Sequence, residues 1–389
     1  MAFGWRLAAL VFVSAIPDTI VVAVLKDLFV DRYGVSAPWA QAFMAINLPG
    51  ALVALPVLAL LRRRMSLRAL LVSASLLDAA LLLAMWSPVG FGATLALRAV
   101  EGVTDVIVFA ALFEAVRRRA GHGLGLALGA ASTALTLGLA VGVVLGGVAT
   151  KLGGATTVFP MAAAACLLVG LAGWSWRDLF THGAAPTPLS ERDDGARGIS
   201  WPPMAMTFAD RATGGVLTAT LPIMFASFLG FTPVERGLMI GLPLAFMALG
   251  TAPAGWLVDR HGAPRVRLCA GLVYAAAIVA VGALGGSGLL LTGALLLAGA
   301  AGAALLASSL DLAALGGHGA IDMGGFRAAG DLGYFFGTAT AAAMAAGFGG
   351  ASPALGDYSI VLFVFAGFHC SASLAALGWL RASVPTARL

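Results

Sequence analysis

The stretch GWLVDRHGAPR, Gly255 to Arg265, sets Asp259, Arg260, His261 and Arg265 around Gly262 and Pro264, between two long apolar runs. A short charged segment flanked by runs of about 20 apolar residues is the pattern of a turn between two membrane-spanning helices. The rest of the chain repeats it. Of 389 residues 60% are hydrophobic and 11% charged, and the mean hydropathy is +0.97. A soluble domain carries about 25% charged residues. Half that share leaves too little polar surface to face water, so the solvent is lipid. In lipid only helices and closed barrels satisfy their backbone hydrogen bonds. The apolar runs have helix length and lack the alternation of barrel strands. The expected fold class is an all-α membrane protein.

Cutting at turn residues and charges gives spans near 5–29, 38–61, 67–87, 91–116, 122–150 and 155–177. Six more follow near 202–229, 233–258, 264–285, 288–315, 320–348 and 357–380. The opening MAFGWRLAALVFVSAIPDTIVVAVL is too long for a signal-peptide core and contains Asp18, so it reads as the first span. THGAAPTPLSERDDGARGIS, at 181–200, is rich in Pro, Gly, Ser and charge and reads as a linker. The expected domains are an N-terminal six-helix bundle over 1–180, the linker over 181–200, and a C-terminal six-helix bundle over 201–389.

The halves resemble each other. INLPGALVAL begins at Ile46 and IGLPLAFMAL at Ile240, sharing Ile, Leu, Pro, Ala, Ala and Leu in register. A similar offset sets Asp18 near Asp210, and Gly-His-Gly recurs from Gly121 and Gly317. Together these indicate an internal duplication. Alternate loops collect most arginines on one side, among them Arg62, Arg63, Arg64, Arg117, Arg118, Arg119, Arg260, Arg265 and Arg267. The other side holds Lys26, Arg32, Lys151 and Arg236. The rich side is expected to be cytoplasmic, with both termini and the linker. The sequence pI near 9.6 is then a topology signal, with a second role at anionic lipid heads, and calls for no nucleic acid. Cys166, Cys269 and Cys370 lie in apolar runs at unrelated spacings and the five histidines are scattered. Neither a disulfide framework, a metal site nor a cofactor is expected.

Two six-helix halves joined by a cytoplasmic linker resemble the major facilitator superfamily of secondary transporters. Its signature loop between helices 2 and 3, repeated between helices 8 and 9, runs Gly-x-Leu-x-Asp-Arg-x-Gly-x-Arg. Gly255, Leu257, Asp259, Arg260, Gly262 and Arg265 fit it, with one extra residue before the last Arg. The first-half counterpart, PVLALLRRRMSLR, keeps Arg63 and Arg68 and lacks the Gly and the Asp. A helix 4 motif, an in-membrane Arg shortly before a Gly, is matched by Arg98 and Gly102. In helix 5, GLAVGVVLGG supplies Gly138, Gly142, Gly146 and Gly147 of a helix-packing motif found in drug/proton antiporters, with Val143 where that motif has Pro. The resemblance implies twelve transmembrane helices in two pseudo-symmetric bundles. It also implies a conformational gate at Gly255, Asp259, Arg260, Gly262 and Arg265, with Asp259 and Arg260 latching a neighbouring helix end. The start of helix 11 is a fitting acceptor, because an acid is favoured at a helix N-terminus.

A charge at mid-membrane costs at least ~2.5 kcal/mol on insertion scales, so each needs a reason. Asp18, Arg98, Glu101, Asp105, Asp210 and Arg211 fall on spans 1, 4 and 7, which by the resemblance line a central cavity. They are the candidate substrate and proton-coupling residues. Arg98, Glu101 and Asp105 share one helix face; Arg98 can pair with Glu101, leaving Asp105 a turn further along. A static ion pair that fixes packing is the alternative. Asp210 serves either a cavity or a helix cap, and Arg211, pointing elsewhere, reaches another helix. Asp78 is expected to be structural, Asp311 to sit at a solvated end, and Asp331 to pair with Arg327. No nucleophile elbow, phosphate loop or metal triad is present, so no enzyme is expected. The function read from these features is secondary active transport of a small organic molecule, with proton-coupled export foremost. The expected setting is the cytoplasmic (inner) membrane, as a monomer in the lipid bilayer. Import of an anionic metabolite held by Arg98 and Arg211, lipid or lysolipid flipping, and a non-transporting sensor are the alternatives.

Overall fold

The computed structural model describes residues 4–120, 124–181, 201–283, 288–314, 320–350 and 352–383, and among these there is no strand. The helices are α1 (Trp5–Ile20), α2 (Ala37–Ala45), α3 (Asn47–Leu61), α4 (Leu67–Trp86), α5 (Phe91–Ala120), α6 (Leu124–Gly153), α7 (Val158–Ser175) and the short α8 (Asp178–Thr181). After the linker come α9 (Trp201–Ser227), α10 (Pro233–His261), α11 (Ala263–Ala283), α12 (Gly288–Ala314), α13 (Ala320–Gly349) and α14 (Leu355–Ser383). With α2 and α3 counted as one broken span and α8 as a surface turn, these make the twelve membrane crossings read from the sequence. Eight crossings stand out by length and apolarity alone; the others carry the charges and breaks discussed below. Residues 182–200 of the expected linker and both Gly-His-Gly repeats lie outside the described residues.

Two crossings deviate from a straight helix, each for a local reason. Pro17 has no N–H to give to the carbonyl one turn back. Soon after it, α1 gives way to a 3₁₀ turn at Val22–Val24 and a π-helical segment at Lys26–Asp31. The second crossing is interrupted at Ile46, three residues before Pro49. Elsewhere the ends are conventional. Ser66 caps α4 by accepting the Ala69 N–H at 3.2 Å. Gly262 closes α10 at φ +80, a left-handed backbone that suits glycine.

The chain divides into two compact units. Unit 1 comprises Met1–Gly34, Ile46–Gly195 and Pro233–Gly241; unit 2 comprises Val35–Ala45, Ala196–Thr232 and Leu242–Leu389. Inside unit 1, α1 packs along α6, and α4 along both α5 and α7. Lipid offers no hydrophobic drive for this, so small residues that let backbones touch do the work. A Cβ on Gly138 or Gly146 would overlap the carbonyl oxygen of Phe12 or Ile20 on α1. One on Gly142 would stand 2.5 Å from the Thr19 hydroxyl, which donates to the Leu139 carbonyl at 2.7 Å. Gly147 meets the other guest of α6: its Cβ would overlap the carbonyl of Pro233, at the start of α10. All four glycines of the helix 5 motif are therefore at contacts where nothing larger fits.

Unit 2 repeats this construction on α13 with the same four-residue glycine spacing. α13 lies along α9, with Gly333 against the Phe208 carbonyl and Gly337 against the Ala212 carbonyl. Pairing Phe12 with Phe208 and Ile16 with Ala212 relates α1 to α9 by 196 positions (208 − 12, 212 − 16). That register sets Asp210 opposite Ser14, not Asp18, so the two acids stand one helical turn apart in the repeat.

Candidate functional site

Unit 1 encloses an acidic pocket at the middle of its helices. Arg98 and Glu101 form an ion pair along α5, and their side chains are only 3% and 2% exposed. The Thr104 hydroxyl bridges the Asp78 carboxylate on α4 and the Glu101 carbonyl on its own helix. Asp18 on α1 and Asp105 on α5 are half-buried and lie within electrostatic reach of Asp78 and Arg98. A small cavity opens between these helices, walled by Ser14, Pro17, Ser75, Asp78, Asp105 and Cys166 among others. Ser75 is 1% exposed, and its hydroxyl has no hydrogen-bond partner among the described residues; nor has Glu101 Oε2. Among the described residues, Asp18, Asp78, Glu101 and Asp105 thus gather around Arg98. Ions held in this way within lipid are costly unless protons or other charges offset them.

Asp78, expected to be structural, stands in this group as well. The close packing of α4 on α5 brings it to Thr104, one turn from Glu101 and beside Asp105. Gly102 does what a small residue next to Arg98 must do: a Cβ there would overlap Asn47 of α3, so the glycine sets how near α3 and α5 come.

Unit 2 holds a second polar centre with a different balance. Arg267 of α11 is completely buried and grips Asp210 of α9 with two hydrogen bonds, Nη1 to Oδ2 at 2.5 Å and Nη2 to Oδ1 at 2.6 Å. The same guanidinium donates to Ser309 of α12 at 2.7 Å and Ser373 of α14 at 3.0 Å. His369 of α14, also fully buried, sets Nδ1 3.4 Å from Asp210 Oδ1, with its ring 5.0 Å from that of Tyr274. One acid meets one permanent cation, and four helices meet at the pair. Arg267, read from sequence as a cytoplasmic loop charge, is this unit's principal internal ligand. It begins one turn into α11, and the bidentate fork of an arginine matches a carboxylate. Arg211 points away from Asp210, as adjacency on a helix requires. Its guanidinium lies 5.5 Å from the Tyr334 ring centre, and the Tyr334 hydroxyl is 2.9 Å from that of Thr218.

The gate residues lie at the end of α10 and the start of α11. Asp259, Arg260 and Arg265 are exposed, and Arg260 stacks over Trp256 at 5.3 Å. Asp259 stands near enough to Asp311 for the two carboxylates to repel. The side chains that open α13, the expected acceptor of the latch, lie outside the described residues. Gly262 is the motif position with a conformational demand. Gly255 has open space where a Cβ would stand.

No family model and no curated protein sequence matches the chain. Solved structures do. A bacterial homologue of the human lysosomal transporter Spinster, in an inward-facing and unoccupied conformation, superposes with a TM-score of 0.80 at 15% identity, over 98% of each chain. The same homologue in an inward-facing, occupied conformation gives 0.75 at 14% identity, over 97% of this chain and 95% of that one. The nucleoside transporter NupG gives 0.69 at 12% identity, over 98% of this chain and 100% of that one. At these identities the likeness is one of fold: the chain has the two-bundle, twelve-helix fold of major-facilitator-type transporters.

Proposed function

We propose that this protein is a secondary active transporter that moves a small organic molecule by alternating access, with proton exchange at the acidic pocket of unit 1 driving export. The observation that carries the reading is the inequality of the two polar centres. In unit 2, Asp210 and Arg267 balance each other and their hydrogen bonds tie four helices into one body. In unit 1, Asp18, Asp78, Glu101 and Asp105 all lie within electrostatic reach of Arg98, beside a cavity. Arg98 and Glu101 form a fixed pair, while Asp18, Asp78 and Asp105 take up and release protons. A proton bound more tightly in one conformation than in the other shifts the population by that difference in affinity, which is how a gradient is converted into transport. The transporter folds that superpose on the chain support transport by alternating access. The arginine-rich side faces the cytoplasm, the protein works as a monomer, and no cofactor besides the proton enters.

Import of an anionic metabolite is the second reading, favoured by Arg211. It is exposed, and Tyr334 supports its guanidinium. A thermal-shift screen of nucleosides, lysolipids, cationic drugs and organic acids at two pH values identifies the ligand, because a bound ligand stabilises the folded state by mass action. Flux of that ligand is then followed in proteoliposomes with and without a pH gradient. The expected result is gradient-driven flux in the parent, and flux indifferent to the gradient in Asp18→Asn and Asp105→Asn. Undiminished gradient dependence in both variants would sink proton coupling at this pocket. Binding with no flux would make the protein a sensor.

A further inference from the structure

The end of unit 1 where α1 and α4 begin and α7 finishes carries a cluster of indoles and guanidinium groups that the transport reading leaves unused. Trp174 of α7 is 58% exposed and Trp5 of α1 is 70% exposed. Arg68, at the start of α4, lies over the Trp174 ring at 4.6 Å, and Arg177 approaches the same ring at 5.7 Å. Arg6 stands 5.6 Å from the Trp176 ring, which meets Trp5 edge-on at 5.9 Å. Asp178 offsets part of the charge, at 3.7 Å from both Arg6 and Arg119.

We infer that this cluster is a binding site for the headgroup of an anionic phospholipid, with Arg68 and Arg177 on either side of Trp174 as its phosphate clamp. Three features point to such a lipid. Tryptophan belongs at the boundary between headgroups and acyl chains, so the cluster marks the depth at which lipid phosphates lie. Arg68 is ordered beforehand: Nε donates to the Gly173 carbonyl at 3.3 Å and Nη2 to that of Trp174 at 2.8 Å. A guanidinium fixed in this way loses little freedom when its remaining N–H groups meet a phosphate, and its planar fork suits two phosphate oxygens. Directly below the clamp α7 packs closely on α4 through two buried glycines. Gly173 abuts Leu71 and Val72, and Gly170 abuts Leu76. Leu167 and Leu171, exposed and four apart, continue the face of Trp174 down the same helix. An acyl chain has an apolar track to follow there, which free phosphate does not use. The arginine-rich side being cytoplasmic, the ligand is a lipid of the inner leaflet.

The test uses the full-length protein in detergent. Its thermal unfolding is followed while phosphatidylglycerol, phosphatidylcholine or inorganic phosphate is titrated in, and native mass spectrometry counts retained lipids. Phosphatidylglycerol should raise the unfolding temperature saturably, and the other two should not. Replacing both clamp residues, Arg68→Gln with Arg177→Gln, should weaken the apparent affinity about thirtyfold, from about 1 kcal/mol for each basic residue near a charged membrane surface. Arg62→Gln with Arg63→Gln removes the same charge from the neighbouring turn and should leave the affinity unchanged. Trp174→Leu, which keeps every charge, should weaken binding even if the double clamp variant fails to fold. Equal stabilisation by phosphatidylcholine, or equal loss in the Arg62 and Arg63 variant, would overturn the assignment in favour of unspecific lipid or charge effects. Equal stabilisation by inorganic phosphate would overturn the lipid as ligand.

Discussion

Replacing Arg267 by methionine isolates the unit 2 centre, because methionine keeps much of the stem and removes only the fork. In the parent, the fork gives two hydrogen bonds to Asp210 and one each to Ser309 and Ser373, at zero exposure. Without it, Asp210, whose side chain is 17% exposed, is left as an anion among four helices. Breaking a buried pair in this way costs about 3–5 kcal/mol. His369, 3.4 Å from the carboxylate, and the residual exposure soften the loss, so the lower end applies. About 3 kcal/mol corresponds to roughly a hundredfold shift in the unfolding equilibrium. The double variant Arg267→Met with Asp210→Leu removes both charges and should recover to within about 1 kcal/mol of the parent, since an apolar replacement of a buried pair is often neutral. Equilibrium unfolding in mixed dodecyl sulfate and maltoside micelles, read by tryptophan fluorescence, measures all three, and the cycle gives the coupling energy. A single variant within about 0.5 kcal/mol of the parent would falsify the assignment of Arg267 as the tie of this unit. So would a double variant that loses the sum of both singles.

Two further outcomes follow from the glycines. Gly138→Val drives a side chain into the Phe12 backbone and should destabilise unit 1 by about 1–3 kcal/mol, while Gly129→Val on the same helix, with open space at its Cβ, should cost far less. Equal shifts in unfolding temperature would refute the packing role. In the α10–α11 turn, Gly262→Ala forces alanine into a left-handed backbone at about 1–2 kcal/mol. Gly255→Ala, inside a helix and unobstructed, should be neutral or stabilising by up to about 1 kcal/mol. The reverse order would show that the signature motif uses Gly255 for packing.

Helix number and position were legible because hydropathy reports lipid contact directly, and α4, α11 and α12 begin where their turn residues say. What lay beyond the sequence was which internal face each charge meets. Arg267 looked like one more topology charge because Arg260 and Arg265 precede it; one helical turn carried it from the surface to the centre of unit 2. Asp78 looked peripheral because only the approach of α4 to α5 brings it to Thr104. The glycines of α6 stand out through a family pattern, while Gly333 and Gly337 of α13 share its four-residue spacing without the rest of the string. Their purpose is visible only when Phe208 and Ala212 are seen against them. The comparison of Asp18 with Asp210 was near the true register, yet a slip of four residues in a helix leaves two side chains on almost the same face. A reading by facing direction cannot detect it.

The duplicated Ile-x-Leu-Pro string has a mechanical meaning. In the first copy, Ile46 to Pro49, the boundary between the two units falls between Ala45 and Ile46; in the second, Ile240 to Pro243, it falls between Gly241 and Leu242. Each string therefore marks the cross-section at which a membrane crossing leaves one body and joins the other. Each also contains the residue that removes a rung from the backbone ladder. The helix is broken at the first of these sites and continuous through the second. Two prolines without a backbone N–H to give, Pro49 and Pro243, thus stand next to the two places where the chain passes from one unit to the other inside a crossing.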